Sequence, residues 1–167
     1  MISILICEWL IHSMISRGLL AVKKTFVAGL ISLSAFAASP SVFANTLFYC
    51  QTQSGKQVEV QDFGSIIHYR FGEKLVEAEL QLTVSRDLAS TYQWIGAGSN
   101  EYYSVSIPNP SAQNAIVYRV FTSRERKPDG KMESGIDVLS QGKIMATILC
   151  QNESVYEQLI GVDLPVE

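Results

Sequence analysis

Hydrophobic and polar residues alternate one by one along much of this chain. The clearest example runs from Val76 to Val84, where Val, Ala and Leu at even positions are separated by Glu, Gln and Thr. Successive side chains of a β-strand point to opposite faces, so this pattern predicts a strand with one buried face. A helix would instead place its apolar residues three and four positions apart, and the alternation therefore favours β structure.

The same alternation, interrupted by turn-forming residues, continues on both sides of this segment. It predicts further strands over residues 47–51, 57–60, 66–71, 92–95, 102–107, 115–122, 136–140 and 143–150. Gln141-Gly142 lies between two of them and is typical of a two-residue hairpin turn. Eight or nine short strands separated by regular turns indicate an all-β fold, either a single antiparallel barrel or a sandwich.

One segment near the C-terminus departs from the alternation. Ser154 and Glu157 have the spacing of a capping box, in which a serine and a glutamate satisfy the first backbone N–H groups of a helix. The sequence therefore predicts a short C-terminal helix over residues 154–160. One or two helical turns are marginally stable alone, so this helix would depend on packing against the sheets.

The first 44 residues differ in composition from the rest. Hydrophobic residues fill 28 of these positions but only 51 of the remaining 123. Lys23 and Lys24 precede an uncharged apolar run over residues 25–38, and Val-Phe-Ala at 42–44 has the small residues of a cleavage site. The uncharged run is shorter than the roughly 20 residues that a transmembrane helix needs.

We therefore expect residues 1–44 to be a signal peptide and residues 45–167 to be a single β domain. Met14 would make a conventional start, so residues 1–13 fit an over-extended start. A chain with this leader would be periplasmic or secreted, and it would keep no membrane span after the leader is removed.

Two cysteines remain in the domain, Cys50 near its start and Cys150 near its end. Export to an oxidising compartment makes a disulfide between them the expected state. Two free buried thiols, or a metal pair without further ligands, are the alternatives. On a chain-entropy argument, a bridge that closes a loop of about 100 residues stabilises the fold by up to about 4.7 kcal/mol.

The domain is acidic. Residues 45–167 carry 10 basic and 15 acidic side chains, a net charge of −5. This charge offers no electrostatic surface for nucleic acid or anionic lipid, and it would attract basic partners.

The domain contains few residues suited to catalysis or metal binding. His68 is its single histidine, and no cysteine is spare, so the usual His/Cys metal sites lack ligands. Asp129, Glu133 and Asp137 are spaced like oxygen ligands, but neighbouring lysines favour a solvated hairpin loop. We expect no metal, no cofactor and no enzymatic activity.

Aromatic residues flank a Gly/Ser/Asn segment at residues 95–101. Tyrosine and tryptophan around a polar, adaptable loop are typical of recognition surfaces. The predicted partner-binding residues are Trp94, Ser99, Asn100, Tyr102 and Tyr103. The alternative is that these aromatic side chains fill the β core.

Phe48-Tyr49-Cys50 and Ile148-Leu149-Cys150 resemble the terminal strands of the small periplasmic inhibitors of C-type lysozymes. The resemblance implies a compact antiparallel barrel with a loop that enters the lysozyme cleft. Ser99-Asn100-Glu101-Tyr102 keeps the serine and tyrosine of the inhibitory loop but lacks its glycine. Where those inhibitors carry Lys-Gly, this chain has Pro108-Asn109-Pro110-Ser111, so the cation that would pair with the lysozyme carboxylates is absent.

These features together predict an exported binding protein. The first hypothesis is an inhibitor or immunity protein against a cell-wall hydrolase, because such hydrolases are often basic and opposite charge speeds their encounter with an acidic domain. A β-barrel that holds a small ligand and a structural protein of the cell envelope are the alternatives.

Overall fold

The structure, a computed structural model, describes residues 44–167. The predicted signal peptide lies outside the described residues apart from Ala44. The described residues form ten β-strands: β1 (Asn45–Gln51), β2 (Gln57–Asp62), β3 (Ile66–Gly72), β4 (Leu80–Ser85), β5 (Ser90–Gln93), β6 (Asn100–Pro108), β7 (Ile116–Glu125), β8 (Met132–Ser140), β9 (Lys143–Leu149) and β10 (Tyr156–Glu157). Three short 3₁₀ turns lie at Leu75–Glu77, Arg86–Leu88 and Asn152–Ser154.

The strands form two antiparallel sheets of five. The first has the order β10-β1-β2-β3-β4 and the second the order β5-β6-β7-β8-β9. This confirms the all-β class predicted from the alternation. Neither sheet closes into a barrel among the described residues, so the barrel alternative is not supported. No helix within this part of the chain is long and apolar enough to cross a membrane.

A single hydrophobic core joins the two sheets. Alternate residues of the central strands point into it, such as Val58 and Val60 in β2 and Val105 and Ile107 in β6. Tyr69 of the first sheet stacks on Tyr118 of the second, with 5.3 Å between the ring centroids. The period-two pattern therefore identifies which side chains are buried between the sheets.

The predicted strand over residues 76–84 is wrong in its first half. β4 begins only at Leu80, and Val76 lies in a 3₁₀ turn with 88% of its surface exposed. β3 pairs with β4 from Ile66 opposite Ser85 to Phe71 opposite Leu80. β3 ends at Gly72, so residues 76–79, which come before β4, have no neighbouring strand to pair with.

The predicted C-terminal helix over residues 154–160 is also wrong. After a 3₁₀ turn the chain forms β10, in which Tyr156 and Glu157 pair with β1. The Ser154 hydroxyl accepts a hydrogen bond from the Gln51 N–H at 2.8 Å, so it does not cap a helix. The open edge of β1 offers backbone partners that an isolated short helix would not have.

We call residues 155–167 the C-terminal segment. It contains β10 at the edge of the first sheet, and after β10 its residues Leu159 and Leu164 insert into the core. Val166 finally forms a parallel bridge with Thr91 of β5, in the second sheet. The segment therefore ties together the edges of both sheets.

The predicted disulfide between Cys50 and Cys150 is confirmed. The Cα atoms of these cysteines are 5.9 Å apart, and both side chains are buried. Cys50 lies in β1, and Cys150 directly follows β9, where it forms a bridge with Thr52. The disulfide therefore links the first sheet to the second across 100 residues of sequence.

Candidate functional site

The outer face of the second sheet, which points away from the core, carries an open groove. Its volume is about 410 Å³, and we call it the aromatic groove. It is lined by Tyr92, Tyr102, Arg119, Asp137, Ile144 and Glu167. The solvent-facing side of an antiparallel sheet is normally polar and exposed, so the aromatic and buried residues found here require an explanation.

Three aromatic rings pack side by side on this face. Tyr92 of β5 meets Tyr102 of β6 edge to face, and Tyr102 stacks on Phe121 of β7, with 5.7 Å between the ring centroids in each pair. Small Ser104 lies directly opposite both Tyr92 and Phe121 in the sheet. Because Ser104 fills little space, the rings on either side approach each other above it.

The Phe121 ring packs over Gly135 of β8. Gly135 lies directly opposite Phe121, and a Cβ atom added to it would be 3.3 Å from that ring and 2.6 Å from the Ile148 carbonyl oxygen. A side chain at this position would therefore push against both the ring and the backbone of β9.

We expect Gly135→Ala to lower the free energy of unfolding by about 1–3 kcal/mol, because it overpacks this contact. The near-UV circular dichroism of the aromatic rings should change with it. Urea unfolding measures the first effect. The control is Ser123→Ala, on the same outer face of β7 as Phe121. It should change the free energy of unfolding by less than about 0.5 kcal/mol. Equal effects of the two variants would contradict the role of Gly135.

A polar row lies beside the aromatic rings. Ser106, Arg119, Asp137 and Thr147 occupy directly opposed positions on β6, β7, β8 and β9. Arg119 donates from Nε to Ser106 Oγ at 3.1 Å and from its terminal nitrogen to Glu167 Oε2 at 3.0 Å. The Thr147 hydroxyl donates to Asp137 Oδ1 at 2.6 Å. The row and Glu167 thus place two carboxylates and one guanidinium next to the aromatic rings.

Two buried polar groups on this face make fewer hydrogen bonds than they can. Asp137 is only 5% exposed, and Thr147 is its one hydrogen-bond donor within the part of the chain that the structure describes. The buried Ser104 hydroxyl has no hydrogen-bond partner among these residues. Native buried polar groups are nearly always satisfied, so the face has unused capacity for hydrogen bonds.

Tyr102 connects the aromatic rings to the polar row. Burial raises the pKa of its hydroxyl to about 12; the Asp137 and Glu167 carboxylates act in the same direction, and Arg119 opposes them. The hydroxyl is therefore protonated at neutral pH and able to donate a hydrogen bond.

The structure places the predicted partner-binding residues at one end of this sheet but on different sides of it. Tyr102 lines the aromatic groove, whereas Tyr103 packs against the core. Ser99 and Asn100 are exposed at the start of β6, and Trp94 is half-buried at the end of β5. Four of the five residues thus lie at the groove or at its adjoining loop.

Arg126 fixes the Gly/Ser/Asn loop between β5 and β6. Its guanidinium lies 4.7 Å from the centre of the Trp94 ring, and its backbone N–H donates to the Ser99 carbonyl at 2.9 Å. The Trp94 indole N–H in turn donates to the Ala97 carbonyl at 2.7 Å. We call residues 94–99 the Trp94 loop; these contacts hold it against the β7–β8 connection.

Of the residues that line the groove, only Tyr102 is among the predicted partner-binding residues. Asp137 is a buried residue of β8, which begins at Met132 and contains the predicted strand over residues 136–140. The prediction that the carboxylates around Asp137 lie in a solvated hairpin loop is therefore wrong for Asp137. Arg119 and Phe121 flank the core residue Val120, so alternation alone places them together on the outer face. Their neighbours across the sheet depend on strand register, which alternation alone does not specify.

Residues 44–167 contain no group of three or more His, Cys, Asp or Glu side chains arranged to hold a metal ion. His68 lies on β3, between β2 and β4, where its Nε2 is 2.8 Å from Gln81 Nε2. Burial, assisted by the nearby Arg70, lowers the pKa of this imidazole.

Comparison with models of known protein families finds no match, and comparisons with curated proteins and with solved structures find none either.

Proposed function

We propose that residues 45–167 form an exported binding domain that docks a basic partner protein on the aromatic groove and the adjoining Trp94 loop. The observation that carries this proposal is the recessed Asp137 carboxylate beside exposed and half-buried tyrosines on an outward sheet face. Tyrosine side chains that line a pocket are frequent anchors of protein interfaces.

Charge supports a basic partner. The domain has a net charge of −5, and Asp137 and Glu167 outnumber Arg119 in the groove itself. Opposite charges on two surfaces speed their encounter and disfavour wrong partners. Cell-wall hydrolases are often basic, so inhibition of such a hydrolase, or immunity to it, is the activity we propose.

A ligand held inside a closed barrel is the weaker alternative. The two sheets do not close on themselves, and side chains such as Phe48, Val60 and Ile136 fill the space between them. The groove instead opens at the surface, which suits a side chain or loop of a partner protein.

The test is calorimetric titration of purified residues 45–167 with a C-type lysozyme and a panel of other basic cell-wall hydrolases. We expect micromolar or tighter binding to at least one of them. Tyr92→Ala should weaken this binding at least tenfold, about 1.4 kcal/mol, because it removes an aromatic wall of the groove.

Tyr156→Ala is the matched control for this experiment. Tyr156 and Tyr92 are similarly exposed, at 47% and 38%, but Tyr156 lies on the first sheet. The control should bind as the unchanged protein does. Equal losses in the two variants would contradict docking at the groove, and the absence of binding across the panel at 100 μM would overturn the proposed partner class.

A further inference from the structure

We infer that the aromatic groove receives one lysine or arginine side chain of the partner, with the Asp137 carboxylate as its anchor. This inference rests on the proposed function and adds the chemistry of the central contact. It makes Asp137 the residue that decides specificity within the groove.

Among the described residues Asp137 has no ion-pair partner. Arg119 lies directly opposite it on β7, but the Arg119 guanidinium pairs with Glu167 and Ser106 instead. Within residues 44–167 no basic group lies within ion-pair distance of the Asp137 carboxylate, and only Thr147 donates to it. A carboxylate this deeply buried is normally paired, so the groove presents a charge that a bound cation would balance.

The walls of the groove suit the side chain of a lysine or arginine. The rings of Tyr92 and Tyr102 border one side, and the exposed Ile144 of β9 borders another. Lysine and arginine carry an apolar stem with a charge at its end. The stem would pack between the rings and Ile144, the cation would interact with the ring faces, and its N–H groups would donate to Asp137.

The charge of the groove disfavours anionic and neutral ligands. Asp137 and Glu167 face Arg119, so the groove carries one more negative than positive charge. Phosphates and other anions would be repelled by the unpaired carboxylate. A neutral ligand would cover Asp137 without balancing its charge, which is costly because the carboxylate would lose its remaining contact with water.

The experiment uses residues 45–167 and three blocked peptides, Gly-Lys-Gly, Gly-Arg-Gly and Gly-norleucine-Gly. Norleucine has the stem of lysine without its charge. We expect the two basic peptides to shift the NMR signals of Tyr92, Tyr102 and Ile144 at millimolar concentration. The norleucine peptide should bind at least tenfold more weakly. Equal binding of all three peptides, or no shift with either basic peptide, would overturn the inference without any variant being needed.

Asp137→Asn and Glu133→Gln form a matched pair for the same titration. Both remove one negative charge from the outer face of β8, but Glu133 is exposed and lies outside the groove. Asp137→Asn keeps the size of the side chain and an oxygen that can accept from Thr147. It should weaken binding of the lysine peptide at least tenfold, whereas Glu133→Gln should change it less than twofold. Equal losses would indicate general electrostatic attraction and contradict an anchor at Asp137.

Tyr92→Ala and Asp137→Asn together separate this inference from the proposed function. If a hydrolase binds, and Tyr92→Ala weakens it but Asp137→Asn does not, the groove is the docking site and the cation anchor is wrong. If the lysine peptide binds through Asp137 but no hydrolase binds, the groove accepts a cationic side chain and the proposed partner class is wrong.

Discussion

Replacing Cys50 and Cys150 together by alanine is expected to lower the free energy of unfolding by about 3–5 kcal/mol. The bridge closes a loop of 100 residues, and cross-linking so long a loop removes much of the conformational freedom of the unfolded chain. Such a loss is comparable to the whole stability of many small domains. Urea unfolding followed by tryptophan fluorescence measures the change.

Adding a reductant to the unchanged protein separates the cross-link from the packing of the two sulfur atoms. Reduction should lower the urea midpoint almost as far as the double substitution does, because both remove the same loop constraint. A midpoint that is unchanged after complete reduction would show that the bridge contributes nothing to stability under these conditions.

Leu159→Ala is the second substitution with a large expected effect. Leu159 is fully buried in the core, although it lies in the C-terminal segment rather than in a sheet. Truncating a buried leucine removes apolar contacts and leaves a cavity, which costs about 2–5 kcal/mol. We expect a loss within this range in urea unfolding at neutral pH.

The adjacent Ile160 provides the control, because 65% of its surface is exposed. Ile160→Ala should change the free energy of unfolding by less than about 0.5 kcal/mol. If the two substitutions cost the same, the C-terminal segment does not pack into the core as described.

The sequence was sufficient for the strands whose alternation coincides with burial. β2, β3 and β6 lie where Val58, Ile67 and Val105 predict them, because each strand has one face in the core. The same rule failed at Val76, where alternation is present but no neighbouring strand is. Alternation shows that a segment could bury one face as a strand. Whether it does so depends on a neighbouring strand with which it can pair.

The candidate site was only partly predictable, for a similar reason. Tyr102 is predicted as a binding residue because it flanks the Gly/Ser/Asn segment. It lies an odd number of positions from the core residue Val105, so alternation places it on the outer face. The same parity argument places Tyr103 on the core side, a signal that the sequence contained. Asp137 could not have been assigned to the groove, because its position depends on the register of β8 against β7, which is set by contacts along their whole length.

The position of β1 has a consequence for the order in which the domain folds. β1 is the first of the ten described strands, yet it lies between β2 and β10, the last of them. One edge of β1 pairs with the neighbouring β2, whereas its other edge pairs with residues 156 and 157, about 100 positions away in sequence. Contacts this distant in sequence form slowly. Until β10 docks, the folding domain therefore exposes an unpaired strand edge, which can pair with another chain.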